Sequence, residues 1–260
     1  MTRAVTQRRF TGERLHEGDA LFGVDLARHR AAYEYARPLL RGLRAVELGC
    51  GSGHGTASLA SAAALLLGVD RVAPDAASRA NGIRYLRADL RRLPLRERSF
   101  DAALSFQVIE HLEDPGVLVQ ALARCLRPDG VALVTTPNIR MSDGVNPYHV
   151  HEYRADELAA CLREGFAEVE VLGVGMSPPV RAYMAARSAR IQRIMKLDPL
   201  RLRERMPRAL VLWLFAAFAL LVRRRTAADE GAPDASVADF PVEAARDDAI
   251  DWIALCRRPR

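Results

Sequence analysis

Cysteine, lysine and aromatic residues are scarce in this chain: four cysteines, a single lysine (Lys196) and 6% Phe, Tyr and Trp in 260 residues. Cys50, Cys125, Cys161 and Cys256 stand far apart with no C-x-x-C pair. Neither a structural zinc nor a disulfide framework is indicated, and a reducing compartment such as a bacterial cytosol is expected. The near-absence of lysine, set against abundant Arg and Ala, reads as the bias of a GC-rich genome rather than as phosphate recognition. No basic stretch is studded with aromatics for base stacking, so nucleic acid is not the expected partner. Residues 1 to 30 carry Arg3, Arg8, Arg9 and Arg14 but no apolar core of secretory length, so the mature chain is expected to start near Met1. Gly (17) and Pro (14) are too few for collagen-like or low-complexity sequence. What is present is 50% hydrophobic residues in a length that buries an ample core, that of one large α/β domain with an insertion or of one and a half ordinary domains.

The net charge of +6 is unevenly spread. Between Arg181 and Arg225 stand twelve Lys or Arg against two acids, Asp198 and Glu204, a local +10 that leaves the remainder at −4 (6 minus 10). Any anionic partner is therefore met locally. From Arg44 onward, short apolar runs alternate with helical patterns, the βαβ signature of a parallel sheet covered by helices. Strands are predicted at 44–49, 64–70, 83–88, 100–106, 130–136, 166–174 and 249–256. Helices are predicted from about Asp25 to Leu40, with His29 and Tyr33 one turn apart, from Pro115 to Leu126, ending at Arg127-Pro-Asp-Gly130, and from Arg154 to Arg163. The resulting domain scheme is an N-terminal capping segment (1–43), a core (44–175), a basic and apolar helical insert (176–248) and a final core strand (249–260).

Glu47-Leu-Gly-Cys-Gly-Ser-Gly53 ends the first predicted strand and opens a helix near His54. Glycine suits a loop that turns tightly and lets backbone approach a ligand closely. Asp70 ends the second strand, 23 residues after Glu47, where a carboxylate takes both hydroxyls of a ribose. Asp89-Leu90 ends the third, where an Asp accepts from an adenine amine. The three together describe an adenosine site.

The series VELGCGSG, GVD, RADLRRLPL, SFDAALSFQVIEHL and LRPDGVALVTTPN resembles the class I S-adenosylmethionine-dependent methyltransferases over residues 44 to 175. The resemblance implies an α/β fold with a doubly wound, mostly parallel seven-stranded sheet, the helical insert lying before its antiparallel last strand. It implies that Glu47 lies near the methionine ammonium and that Gly49, Gly51 and Gly53 line the methionine and ribose. Asp70 would bind ribose, Asp89 and Leu90 would hold adenine, and Phe106 and Gln107 would face the cofactor. Nicotinamide dehydrogenases favour G-x-G-x-x-G, whereas this loop reads G-x-G-x-G.

Ser105 to Leu112 leaves the fourth strand beside the glycine loop, where the transferred methyl should lie. Similar O-methyltransferases of ubiquinone biosynthesis and small-RNA 2′-O-methyltransferases carry Glu-x-x-Glu-His here and bind a divalent ion. This chain departs from them with Gln107 in place of the first glutamate. Downstream, Asn146-Pro-Tyr-His149-Val-His151-Glu-Tyr153 resembles the segment that supplies another metal histidine, which lands on His149. A Glu110, His111 and His149 cluster would hold Mg²⁺, Mn²⁺ or Zn²⁺ and lower the pKa of a hydroxyl. His111 acting alone as general base, with Glu110 orienting it, is the other chemistry, and a bracing role for Glu110 and His111 is the third. His151 reads as a hydrogen-bonding loop residue. Tyr33, Tyr148 and Tyr153 are candidates for an acceptor wall or for plain core, and His149, if it holds no metal, is a candidate acceptor contact.

Thr11-Gly-Glu-Arg14, the His29/Tyr33 helix and the 146–153 segment resemble bacterial methyltransferases found with glycan-assembly enzymes. That implies O-methylation of a sugar, glycan or glycolipid-precursor hydroxyl. Aromatic, polyketide or isoprenoid-quinone acceptors and RNA 2′-hydroxyls are the competing acceptors. A non-catalytic cofactor-binding module presenting its insert to a partner is the competitor of another class. The run Ala209 to Val222 holds fourteen uncharged residues, about 21 Å of helix where a bilayer needs about 30 Å. It reads as a lid, a homodimer helix or a peripheral membrane contact through 203–225. In the membrane form, Trp213, Phe215 and Phe218 enter the acyl boundary while Arg203, Arg205, Arg208 and Arg223 to Arg225 meet headgroups. The expected location is cytoplasmic, with peripheral contact on the inner face of the membrane.

Overall fold

The apolar runs pair into one mixed sheet, with the strands buried along most of their length, Arg44–Leu48, Phe100–Phe106 and Asp251–Pro259 among them, inside it and the most exposed ones at its edges. The computed structural model describes residues 20–74, 79, 83–196, 206 and 208–260. The Thr11-Gly-Glu-Arg14 motif, Arg203, Arg205 and the side chains of Arg208 and Trp213 lie outside the described residues. The strands are β1 (Arg44–Leu48), β2 (Leu65–Asp70), β3 (Arg84–Arg87), β4 (Phe100–Phe106), β5 (Leu126–Pro137), β6 (Phe166–Val174), β7 (Val242–Ala244) and β8 (Asp251–Pro259). Their order is β3-β2-β1-β4-β5-β8-β6-β7. β1 to β5 are parallel, and β8 runs antiparallel between β5 and β6. The seven expected strands are all present, and the three-residue β7 adds an eighth at the edge by pairing with β6. The chain winds outward from β1 to β3 and then restarts at β4 on the other side of β1. The β1/β4 junction is thus the topological switch point, where open α/β sheets bind ligands.

The helices are α1 (Gly23–Ala36), α2 (His54–Ser58), α3 (Gly116–Cys125), α4 (Ala155–Leu162), α5 (Pro178–Met195) and α6 (Arg208–Glu230). α1 stops short of the expected Leu40 because Pro38 cannot continue it, and Arg37–Leu40 tightens into a 3₁₀ turn. α3 buries Leu118, Val119, Ala121, Leu122 and Cys125, the face read from the sequence, against the β4–β5 region of the sheet. β5 begins four residues earlier than expected. Leu126 already pairs with Phe100, and pairing resumes at Val131 opposite Ala102, so Arg127-Pro-Asp-Gly130 is accommodated as an irregularity within the strand pair. An Arg127–Asp101 ion pair spans it.

The described residues fall into two compact units. One gathers those of 1–26, 145–147 and 178–235, and the other consists of 27–144, 148–177 and 236–260, with the whole sheet and α2 to α4. In the first, α5 packs on α6. Asp25, at 5% exposure, is clamped by Arg187 and Arg223 at 3.0 and 3.1 Å, and the Arg223 guanidinium sits 5.0 Å from the Phe22 ring centre. Arg223 therefore faces inward, which corrects its expected place among headgroup-facing arginines: a nearly buried carboxylate outcompetes solvent for it.

Candidate active site

The carboxyl ends of β1, β2 and β4 converge at the switch point, and the loops leaving them carry most of the residues read from the sequence. Glu47, one residue before the end of β1, is fully buried, and Tyr33 Oη of α1 donates to its Oε1 at 2.7 Å. Its Oε2 has no partner among the described residues. Burial above all, and then the neighbouring Asp70 charge, raise the Glu47 carboxyl to about 7 against the opposing influence of the nearby Thr56 hydroxyl and of the hydrogen bond from Tyr33. The Tyr33 phenol is itself pushed well above its ordinary value, by burial and then by Glu47, which keeps it a donor.

Gly49, Gly51 and Gly53 all adopt the left-handed region (φ +86°, +55° and +88°), which a side chain rarely enters. At Gly49 there is a second constraint, because an added Cβ would lie 2.4 Å from Val108 Cγ2 in the segment leaving β4. Val69 O accepts from the Gly49 and Cys50 amides at 2.8 and 3.1 Å. Asp70 accepts from the Gly51 amide through Oδ2 and the Val72 amide through Oδ1, both at 2.8 Å, so this carboxylate braces the loop. Each oxygen keeps a further lone pair for a ligand hydroxyl. Asp89 is exposed and caps the turn Leu90–Arg92 by accepting from the Arg91 amide at 2.9 Å.

Phe106 is buried against Tyr33, with ring centres 4.3 Å apart. Gln107 follows at φ +54°, an uncommon state for a residue with a side chain. It is held there by its amide to Thr135 O at 3.0 Å and by Nε2 to Asp251 Oδ1 at 3.3 Å. Asp251 in turn forms an ion pair with Arg28 of α1. The Gln107 amide therefore donates to a carboxylate from β8. A glutamate here would set two carboxylates against each other, which gives a physical reason for the departure from Glu-x-x-Glu-His.

Glu110 and His111 lie in the 3₁₀ turn Ile109–His111. Glu110 is fully buried, Thr136 Oγ1 donates to its Oε2 at 3.1 Å, and its Oε1 has no partner among the described residues. Burial raises its carboxyl to about 7 against the opposing His111 and His149 charges. The Glu110 carbonyl accepts from the Val150 and His151 amides at 2.7 and 3.2 Å, which fixes the 148–153 segment alongside. His111 Nδ1 donates to the Tyr148 carbonyl at 3.0 Å. His149 Nδ1 lies 2.6 Å from Glu152 Oε1. Burial works against the charge on Glu152, but the contacts of His149, Ser142 and Arg28 outweigh it and hold this carboxyl below its ordinary value, so it accepts. In neutral rings both histidines then carry their lone pair on Nε2. One carboxylate oxygen of Glu110 and one ring nitrogen from each of His111 and His149 lie within 4.8 Å of one another.

His151 stands outside this cluster. It contacts Glu157 at 2.7 Å and lies edge-on to Tyr153. Tyr153 is core at 3% exposure, its carbonyl accepting from Trp252 Nε1 at 2.9 Å. Tyr148 contributes its carbonyl to the cluster. Arg28, Gly55, Thr136, Glu152 and Asp251 were not anticipated from the sequence. Gly55 had a local signal in the run Gly-His-Gly, and an added Cβ there would meet the Tyr33 ring at 1.9 Å. Glu152 had one too, three residues from His149, whereas nothing local links Arg28 to a residue 223 positions away.

Residues 46–134 match a family described as a methyltransferase domain. The chain is 40% identical to a probable S-adenosylmethionine-dependent methyltransferase of Mycolicibacterium smegmatis, over 63% of this chain and 67% of the relative. It is 35% identical to a probable S-adenosylmethionine-dependent methyltransferase of Mycobacterium tuberculosis, covering 66% of each, just under two thirds of that relative's length. A ubiquinone biosynthesis O-methyltransferase of Marinobacter nauticus is 25% identical over 64% of this chain and 81% of its own. Among solved structures, a methyltransferase of Thermotoga maritima, described as a possible histamine N-methyltransferase, superposes with a TM-score of 0.58 at 17% identity, covering 91% of this chain and 92% of its own. That last likeness concerns the fold.

Proposed function

Because the chain belongs to the class I S-adenosylmethionine-dependent methyltransferases, we propose that it methylates a hydroxyl oxygen, and that the acceptor is a sugar, glycan or glycolipid-precursor hydroxyl. The chain's residues fit the cofactor. The buried Glu47 Oε2, without a hydrogen bond among the described residues, suits the methionine ammonium, the open backbone at Gly51 suits close approach, and the remaining lone pairs of Asp70 suit ribose hydroxyls. When bound, the cofactor would supply an electrophilic methyl group to the acceptor oxygen, its sulfur keeping the electron pair of the bond that breaks. The hydroxyl proton leaves to a ring nitrogen of His111. Most of the rate comes from holding oxygen, carbon and sulfur in line.

The single observation that carries this reading is the pair of histidines with Nδ1 engaged, by the Tyr148 carbonyl and by Glu152, beside a buried Glu110 with one unpartnered oxygen. Such an arrangement suits removal of a proton from a hydroxyl. The polar side chains of Gln107 and Glu152 at the same sheet edge suit a hydroxyl-rich acceptor better than a flat apolar ring. The O-methyltransferase relatives of ubiquinone biosynthesis support transfer to oxygen. The same observation favours a second reading of the proton step. Glu110, His111 and His149 would hold a divalent ion, since carboxylate- and carbonyl-oriented histidines are the usual companions of one, and such an ion when bound lowers the pKa of a coordinated hydroxyl.

The test is transfer of labelled methyl from S-adenosylmethionine to a panel of mono- and disaccharides and to catechol, before and after chelation. Label on sugar oxygen is the expected result, and label confined to catechol contradicts the acceptor class. Activity lost on chelation and restored by Mg²⁺ or Mn²⁺ favours the metal reading. Activity indifferent to chelation favours His111 as base.

A further inference from the structure

We infer that the outer face of α6 is a docking surface for an anionic phospholipid membrane. α6 is apolar all round from Ala209 to Val222, and a helix of that kind normally has protein on every side. Here it does not. Val222 and Thr226 are buried, at 2% and 0% exposure, whereas Leu210, Leu214 and Leu221 are 43%, 38% and 52% exposed. Positions 210, 214, 217 and 221 follow the i, i+4, i+7, i+11 spacing of one helix face, and Ala217 is exposed with the leucines. The orientation is set by ion pairs within the same unit, Arg223 and Arg187 to Asp25 and Arg190 to Asp229 at 2.6 Å.

Arg224 and Arg225 continue the same stripe. Both are exposed and neither makes an ion pair among the described residues. The occupant follows from charge. The stripe holds cations and no acid, within a segment of twelve cations to two acids between Arg181 and Arg225. A parallel second copy would bring Arg224 and Arg225 onto themselves and an antiparallel one would offer them no acid of the stripe, while an anionic headgroup layer complements both the arginines and the leucines that reach beneath it. The stripe from Leu210 to Arg225 is about 22 Å long, lying flat, and no helix among the described residues is long and apolar enough to cross a membrane. This face differs from the one expected from the sequence, with leucines in place of Phe215 and Phe218 and without Arg223.

The experiment is flotation of the full chain with phosphatidylglycerol vesicles and, separately, with phosphatidylcholine vesicles, alongside size-exclusion chromatography with light scattering. The wild type is expected to float with phosphatidylglycerol and to bind phosphatidylcholine at least about tenfold less. Leu210→Gln/Leu214→Gln/Leu221→Gln should abolish flotation while S-adenosylhomocysteine binding persists. Arg224→Glu/Arg225→Glu should weaken flotation by tenfold or more, about fivefold for each arginine. The milder Leu221→Gln alone should weaken it in a chain whose thermal melt is unchanged. Absence of wild-type flotation, or unaltered flotation of the leucine variants, overturns the inference. So does a dimer that the leucine variants convert to monomer, since the face then belongs to a second copy.

Discussion

Two pairs of buried carboxylates separate the parts of this molecule that act on a ligand from the parts that hold it together. Asp25, in the helical unit, and Asp251, at the start of β8, are 5% and 4% exposed, and each is clamped by arginine. Glu47 and Glu110, at the carboxyl edge of the sheet, are fully buried, and each has an oxygen with no partner among the described residues. Burial is the same and satisfaction is opposite. A paired buried carboxylate fixes geometry, whereas an unpaired one costs stability unless something else completes it. In both Glu47 and Glu110 that cost shows as a carboxyl raised to about 7, with burial the leading cause.

The comparison is sharpened most by His111→Ala. Once an acceptor is in hand, turnover should fall by about 10² to 10⁴ with cofactor affinity nearly unchanged, as measured by steady-state kinetics and calorimetry. A matching loss of affinity would place His111 with the structural groups. Next in size, Asp25→Ala should lower unfolding stability by about 3 kcal/mol, because two largely buried arginines lose their counter-charge. A chemical denaturation curve measures this, and a change under about 0.5 kcal/mol would remove Asp25 from the structural pair. Smaller still, Asp70→Ala should weaken S-adenosylhomocysteine binding by roughly tenfold to a hundredfold, since the Gly51 amide and the ligand hydroxyls lose one acceptor together. Undiminished affinity in that variant would separate the brace from the binding site.

The site is legible in the sequence wherever its parts are local. Glu47, Gly49, Gly51 and Gly53 lie within seven residues, and the strand ends that place Asp70 and Asp89 follow from the period of the apolar runs. Glu110, His111 and His149 are readable as a cluster only through the resemblance to metal-binding methyltransferases, since His149 lies 38 positions after His111; the structure adds what joins them, the Val150 and His151 amides bonding to the Glu110 carbonyl. The Arg28–Asp251–Gln107 arrangement was not readable. Its members are joined only when α1 and β8 reach the same sheet edge, and no spacing rule encodes that. α6 failed for a different reason. A run apolar on every side has no periodicity to show which face turns inward, so the fate of Arg223 depended on Asp25, far away in sequence.

The most direct test of the account is calorimetric titration of S-adenosylhomocysteine into the wild type and Glu47→Gln between pH 5.5 and 7.5. In the free protein the Glu47 carboxyl titrates near 7, so at lower pH it is protonated, and ionising it to meet the ligand ammonium opposes binding. Wild-type affinity should therefore rise with pH through this window, by up to about tenfold per unit. Glu47→Gln should bind about tenfold or more weakly at pH 7.5 and show a flat profile. The free wild type should also lose some stability as pH rises from about 4.5 through 7, where a buried acid with a raised pKa becomes charged, and Glu47→Gln should remove that part of the decline. A wild-type affinity that ignores pH, together with an unimpaired Glu47→Gln, would contradict the claim that an unsatisfied buried carboxylate prepares this site for its cofactor.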